Sequence, residues 1–160
     1  SAMERLQGVT EALKKAPGMK VLASTTAKYN RQEAMKVMEN LLTRFPDIDI
    51  ALCANDVMAL GAKEAIKDAR RNVAVVGIDA IPEALDSVAK GEMTGTVDSN
   101  GFDQGFVAVD LTAKYLLKDQ KPPKESLVGS GMATVITKEN AGAFEKAKTE
   151  KFQKFGIKID

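Results

Sequence analysis

Asp49-Ile50-Ala51-Leu52-Cys53-Ala54-Asn55-Asp56-Val57-Met58-Ala59-Leu60-Gly61-Ala62 is the stretch that decides the fold. Residues 50–54 are an apolar run too short for a helix, entered from the turn-like Phe45-Pro46-Asp47, and they predict a short buried strand. Asn55 and Asp56 then open a helix to about Lys67, an amide suited to capping followed by an acid suited to the positive helix end. A polar group at the tip of a buried strand is also where an open α/β sheet meets a ligand. Asn55 therefore has two readings, cap and ligand contact.

Outward from this stretch the same alternation recurs. Upstream, Ala34, Val37, Met38, Leu41, Leu42 and Phe45 fall at three- and four-residue steps and predict an amphipathic helix that Pro46 stops. Before it, Met19-Lys20-Val21-Leu22-Ala23 predicts a strand, and residues 24–30 a polar loop holding Tyr29. Residues 3–15 carry a helical pattern with Met3, Leu6 and Leu13 on one side, ended by Pro17-Gly18. Downstream, residues 73–78 are a continuous apolar strand ending at Asp79, and Ile81-Pro82-Glu83 starts a helix with proline in its first turn. Gly91 closes that helix, residues 93–97 form a further strand, and Asp98-Ser99-Asn100-Gly101 is a polar turn. A helix over 102–117 follows, with Phe106, Val109, Ala113 and Leu116 on one side. Lys121-Pro122-Pro123-Lys124 is a linker, residues 127–136 contain a last strand bent at Ser130-Gly131, and 138–151 a charged helix.

Strands this uniformly apolar, alternating with helices, are the signature of an α/β fold: a parallel sheet covered by helices on both faces, in three layers. The pattern opens on a helix where such a unit normally opens on a strand, so the first strand is expected to be missing or supplied from elsewhere.

Composition narrows the function. The chain has 160 residues, 44% of them hydrophobic, enough for a core. A net charge of +1 with interspersed Lys and Glu gives no basic surface for nucleic acid. No apolar run is long enough to span a bilayer, and no signal peptide is visible. The absence of histidine removes Ser-His and Cys-His nucleophiles and His-ligated metals, and one cysteine permits neither an intrachain disulfide nor a Cys-rich zinc site. Cys53 reads as a small buried hydrophobe. No glycine-rich phosphate loop is present, and no cofactor is expected.

What remains is a set of strand tips. Tyr29, Asn55, Asp79 and the Asp98-Ser99 pair lie at ends that a parallel sheet points into one crevice, and Arg5 lies at the start of the first helix. Hydrogen-bonding groups of both signs with an aromatic face suit a sugar, whose hydroxyls need forked polar partners and whose C–H face needs apolar cover. Taken singly, each residue has a plainer reading: Asn55 and Asp79 as helix caps, Tyr29 as a surface aromatic, Arg5 as an i,i+4 ion pair, Asp98 and Ser99 as turn formers.

Cys53-Ala54-Asn55-Asp56-Val57-Met58-Ala59-Leu60-Gly61-Ala62, Val73-Ala74-Val75-Val76-Gly77-Ile78-Asp79-Ala80-Ile81-Pro82-Glu83 and Lys90-Gly91-Glu92-Met93-Thr94-Gly95-Thr96-Val97 resemble the C-terminal lobe of ribose-binding-protein-like, type I periplasmic sugar-binding proteins of ABC transporters. The first nine residues and Val135-Ile136-Thr137-Lys138-Glu139-Asn140 also match, so the resemblance covers almost the whole chain in order. It implies a sugar-hydroxyl role for Arg5, Asn55 and Asp79 and a ring-stacking role for Tyr29. Ser99 stands where ribose-binding members carry glutamine, a departure that Asp98 could offset.

The resemblance further implies a lobe formed by residues 1–99 and 128–160. Residues 100–127 would hold hinge crossings and a helix that packs on an N-terminal lobe absent from this chain. Implied partners are a monosaccharide or polyol, that second lobe, and an ABC permease or a chemoreceptor; the implied location is extracytoplasmic, and no enzyme activity is implied. The rival is the effector-binding domain of a LacI-type repressor, which shares the fold. Asp68-Ala69-Arg70-Arg71-Asn72-Val73 and Gly91-Glu92-Met93-Thr94-Gly95-Thr96-Val97 depart from the repressor pattern at both diagnostic stretches.

Overall fold

The computed structural model describes residues 2–121 and 133–156. Its elements are α1 (Ala2–Leu13), α2 (Arg31–Arg44), β1 (Ile50–Leu52), α3 (Asp56–Asp68), β2 (Ala74–Val76), α4 (Pro82–Ala89), β3 (Thr96–Asp98), α5 (Gly101–Lys118), β4 (Thr134–Ile136) and α6 (Ala141–Lys154). β1 and β2 pair in parallel, Ile50 with Ala74 through Leu52 with Val76. A parallel bridge between Val76 and Gly95 carries the sheet on toward β3. β4 runs antiparallel to β3, so the sheet is mixed and its last strand departs from the all-parallel expectation.

Local chemistry explains the helices. Asn30 caps α2 by accepting the Glu33 N–H at 3.0 Å, and Ala34, Met38 and Leu42 bury one stripe of it. Pro82 starts α4, where a missing N–H leaves no bond unmade. α3 is buried on Met58, Ala59, Leu60, Ala62, Ala65 and Ile66, and its Gly61 lies against the first turn of α2. These helices close over Val75, Val88, Met93 and Ile136 in one core cluster. Each fully buried side chain of this size contributes about 1.5–3 kcal/mol.

Several apolar residues outside that core are exposed. Ile50 and Leu52 are 40% and 49% exposed, and α1, which has no buried residue, leaves Met3 73% exposed. The strand expected at 19–23 does not form: Val21 is 59% exposed, and among the described residues nothing pairs with the segment. Its composition suits a strand, but a strand exists only through the ladder a neighbour supplies. α5 likewise buries none of its residues, although Phe102 and Phe106 meet Phe152 and Phe155 at centroid distances of 5.0–5.3 Å. The expected linker prolines and the bend at Ser130-Gly131 lie outside the described residues.

Candidate functional site

Parallel pairing brings the strand tips to one edge. Asp56 N–H donates to the Ile78 carbonyl at 2.8 Å, and Asp79 N–H to the Val97 carbonyl at 2.8 Å. The ends of β1, β2 and β3 therefore lie side by side, which places Asn55, Asp79 and Ser99 along a single rim.

Asn55 uses one end of its amide as a cap: Oδ1 accepts the Met58 N–H at 3.0 Å. The capping reading is correct, and it leaves Nδ2 as the end that can serve a ligand. Arg5 reaches from α1 to two tips at once, donating to the Ala54 carbonyl at 2.5 Å and to Asp79 Oδ1 at 2.7 Å. This long-range pair replaces the i,i+4 surface pair, and it is partly buried, with the two side chains 26% and 31% exposed. Ser99 Oγ donates to the same Asp79 oxygen at 3.4 Å. A guanidinium and a hydroxyl fix the carboxylate through Oδ1 and leave its other oxygen as an acceptor.

Asp98 does not join this group. Its carboxylate accepts the Asn100 N–H at 3.0 Å, a local turn bond that matches the plainer reading. Tyr29 occupies the turn into α2 with φ 56° and is 45% exposed. Ala27 seats that loop against Ala34 and Met58, but among the described residues Tyr29 makes no ring contact or hydrogen bond with the Asn55–Asp79 rim.

Three features had no signal in the sequence. Asp79 and Ala80 have φ of 119° and 52°, two successive non-glycine residues in a sparsely populated region that costs of order 1–3 kcal/mol per residue. Asp56 is fully buried; its carboxylate crosses to the β2–α4 connection instead of resting at its own helix end. Burial pushes that carboxyl above the ordinary range, against the pull of its bonds from Thr96 and Ile81. Arg31 at the start of α2 pairs with Glu83 at the start of α4 at 2.5 Å, and that bond holds the Glu83 carboxyl below the ordinary range.

Cys53 is half-buried, and burial together with the Asp56 charge raises its thiol from 9.0 to about 11. At pH 8 it should alkylate with iodoacetamide at least about tenfold slower than a free cysteine, because thiolate is scarce there even after allowing for its greater nucleophilicity. Reaction at the free-thiol rate would show that the β1 tip is open. Among the described residues no cluster of acidic or sulfur ligands could hold a metal, and no helix is long and apolar enough to cross a membrane.

The chain is similar to known proteins over most of its length. The family described as periplasmic binding protein domain matches residues 1–120. The chain is 40% identical over 142 residues to a D-allose-binding periplasmic protein of Escherichia coli, covering 84% of this chain and 45% of that protein. It is 37% identical over 158 residues to a xylitol-binding protein of Mycolicibacterium smegmatis, covering 96% of this chain and 43% of that one. A crystal structure of an ABC transporter solute-binding protein from Actinobacillus succinogenes with bound D-allose superposes with a TM-score of 0.81 at 31% identity, over 88% of this chain and 49% of the other. The chain thus spans about half the length of the relatives it matches.

Proposed function

Because the chain belongs to the periplasmic binding protein domain family, we propose that it supplies one wall of the sugar site in the binding component of an ABC importer. The observation that carries the reading is the Arg5–Asp79–Ser99 cluster beside Asn55, polar groups of both signs held on one rim by three strand ends and α1. The ligand is a monosaccharide or polyol, closed in by a second lobe that rotates about a hinge. Asp79 accepts from its hydroxyls, Arg5 and Asn55 Nδ2 donate to them, and Tyr29 covers an apolar ring face once the second lobe brings the ligand down. Ser99 adds a donor, and Asp98 shapes the turn beside it.

The bare surfaces fit a lobe within a larger assembly. On this reading the lobe is residues 1–99 and 128–160, with α5 and the hinge crossings in 100–127; residues 1, 122–132 and 157–160 of that division lie outside the described residues. Val109, Leu116 and Leu117 of α5 are 70%, 71% and 82% exposed, a stripe that an N-terminal lobe would cover. A strand supplied by the rest of the protein would give residues 19–23 the ladder they lack. Location outside the cytoplasm, delivery to a permease or chemoreceptor, and binding without turnover follow from the same reading. The repressor alternative lacks comparable support, since the similar proteins are named for sugar and polyol binding and for transport.

A thermal-shift and calorimetric screen of pentoses, hexoses and polyols on the complete protein tests the proposal; D-allose and xylitol are the first compounds to try. Binding of any of them in the micromolar range or tighter is expected, and a chain that binds none refutes the sugar reading. Asn55→Asp separates the two jobs of that residue. It keeps an acceptor for the Met58 N–H, so stability should stay within about 0.5 kcal/mol, while the donor to the sugar is gone and affinity should fall about tenfold. Unchanged affinity in this variant would return Asn55 to capping alone.

A further inference from the structure

Asp79 sits where its own backbone would not place it. The segment from Asp79 to Ile81 passes through two positive-φ residues, and three side chains from three elements grip it. Asp56 Oδ2 accepts the Ile81 N–H at 3.0 Å, and Oδ1 accepts the Thr96 hydroxyl at 2.6 Å. Thr96 Oγ1 in turn accepts the Ala80 N–H at 3.3 Å. From α6, Lys148 Nζ donates to the Ala80 carbonyl at 3.0 Å. Both backbone polar groups of Ala80 and the N–H of Ile81 are thus satisfied by α3, β3 and α6, in a turn with no regular ladder of its own. Asp56 and Thr96 are fully buried, so the bond between them and the bond from Ala80 to Thr96 are shielded from water. Gly77 leaves the room this needs: a Cβ there would stand 2.1 Å from Asp56 Oδ1.

We propose that Asp56, Thr96 and Lys148 are positioning residues that clamp the Asp79–Ala80 turn in the shape that receives the sugar, an inference that rests on the reading of Asp79 as a sugar contact. They act through the turn. A turn held before binding has no ordering cost left to meet when the ligand arrives, and a turn released toward ordinary φ draws the carboxylate away from Arg5 and Ser99. The long reach of Lys148 also ties the last helix of the lobe to its ligand rim.

The test uses the complete protein with the tightest binder among D-allose, xylitol, D-ribose and myo-inositol, together with amide hydrogen exchange on the sugar-free protein. Lys148→Met is expected to raise Kd about tenfold and to speed exchange at Ala80 and Ile81 about tenfold. Exchange at Leu60 in the core should not move, and the melting temperature should stay within about 2 °C. Thr96→Val should do the same at the turn, with some loss of stability. Lys148→Arg and Thr96→Ser, which keep the donor and the hydroxyl, should restore both readouts. A merely structural role would move the melting temperature and leave affinity and turn exchange alone. If Lys148→Met and Thr96→Val keep Kd within about twofold and exchange unchanged while Asp79→Ala loses binding, the clamp is wrong and the site stands. If Asp79→Ala binds as the parent does, the site reading fails and takes the clamp with it.

Discussion

Asp79→Ala is expected to weaken sugar binding by about 100-fold, read by isothermal titration on the complete protein. A hydrogen bond to a charged group is worth about 1.5–3 kcal/mol, and removing one member of a partly buried charge pair adds the cost of leaving the other without its partner. A total near 3 kcal/mol corresponds to about two orders of magnitude in Kd. The second contribution is specific to this geometry: Arg5 Nη2 lies 2.7 Å from the carboxylate and would lose the anchor that holds it over the rim. Asp79→Asn should fall between the parent and the alanine variant, because it keeps an acceptor and loses the charge. Arg5→Ala should weaken binding in the same direction. Binding within a few-fold of the parent in Asp79→Ala would remove the carboxylate from the site.

Gly61→Ala is expected to cost stability through a clash between the backbones of two packed helices. A methyl group on Gly61 would lie 2.2 Å from the Arg31 carbonyl oxygen and 3.0 Å from the carbonyl carbon. Both are backbone atoms, so no rotamer change relieves the clash and α2 must move away from α3. Overpacking of this kind costs about 1–3 kcal/mol, and alanine's better helix propensity returns at most about 1 kcal/mol of it. A net loss of about 1–2 kcal/mol corresponds to a drop of roughly 2–8 °C in melting temperature for a protein of this size. Because α2 starts directly after the Tyr29 turn, affinity should fall as well. An unchanged or higher melting temperature would mean that α2 and α3 pack less closely than described.

What the sequence made legible was whatever is written locally. The cap at Asn55, the proline at the start of α4 and the apolar stripe Ala34, Met38, Leu42 are each set by residues within one or two turns, and all are found where expected. The segment 19–23 has the composition of β1 but no pairing partner among the described residues, and pairing is a non-local property that composition does not encode. The same limit applies to Asp56. Its place in the first turn of α3 fits the helix dipole, yet its bonds go to Ile81 and Thr96, residues 25 and 40 positions away. The positive φ values at Asp79 and Ala80 carry no glycine to announce them, and the reach of Lys148 spans 68 positions. Arg5 was a candidate from its place at the start of the first helix, with its sugar-hydroxyl role given by resemblance, and the structure supplies what the sequence could not: its pairing with Asp79. Tyr29 and Asp98 stand apart from that pair, Tyr29 in the turn before α2 and Asp98 bonded to the Asn100 N–H.

A crystal structure of the complete protein with its tightest-binding sugar would show whether this rim holds the ligand. The sugar is expected at the C-terminal ends of β1, β2 and β3, with hydroxyls within hydrogen-bond distance of Arg5, Asn55 and Asp79 and the Asp79–Ala80 turn unchanged. A sugar bound elsewhere, or at this rim without contact to Asp79, would contradict it.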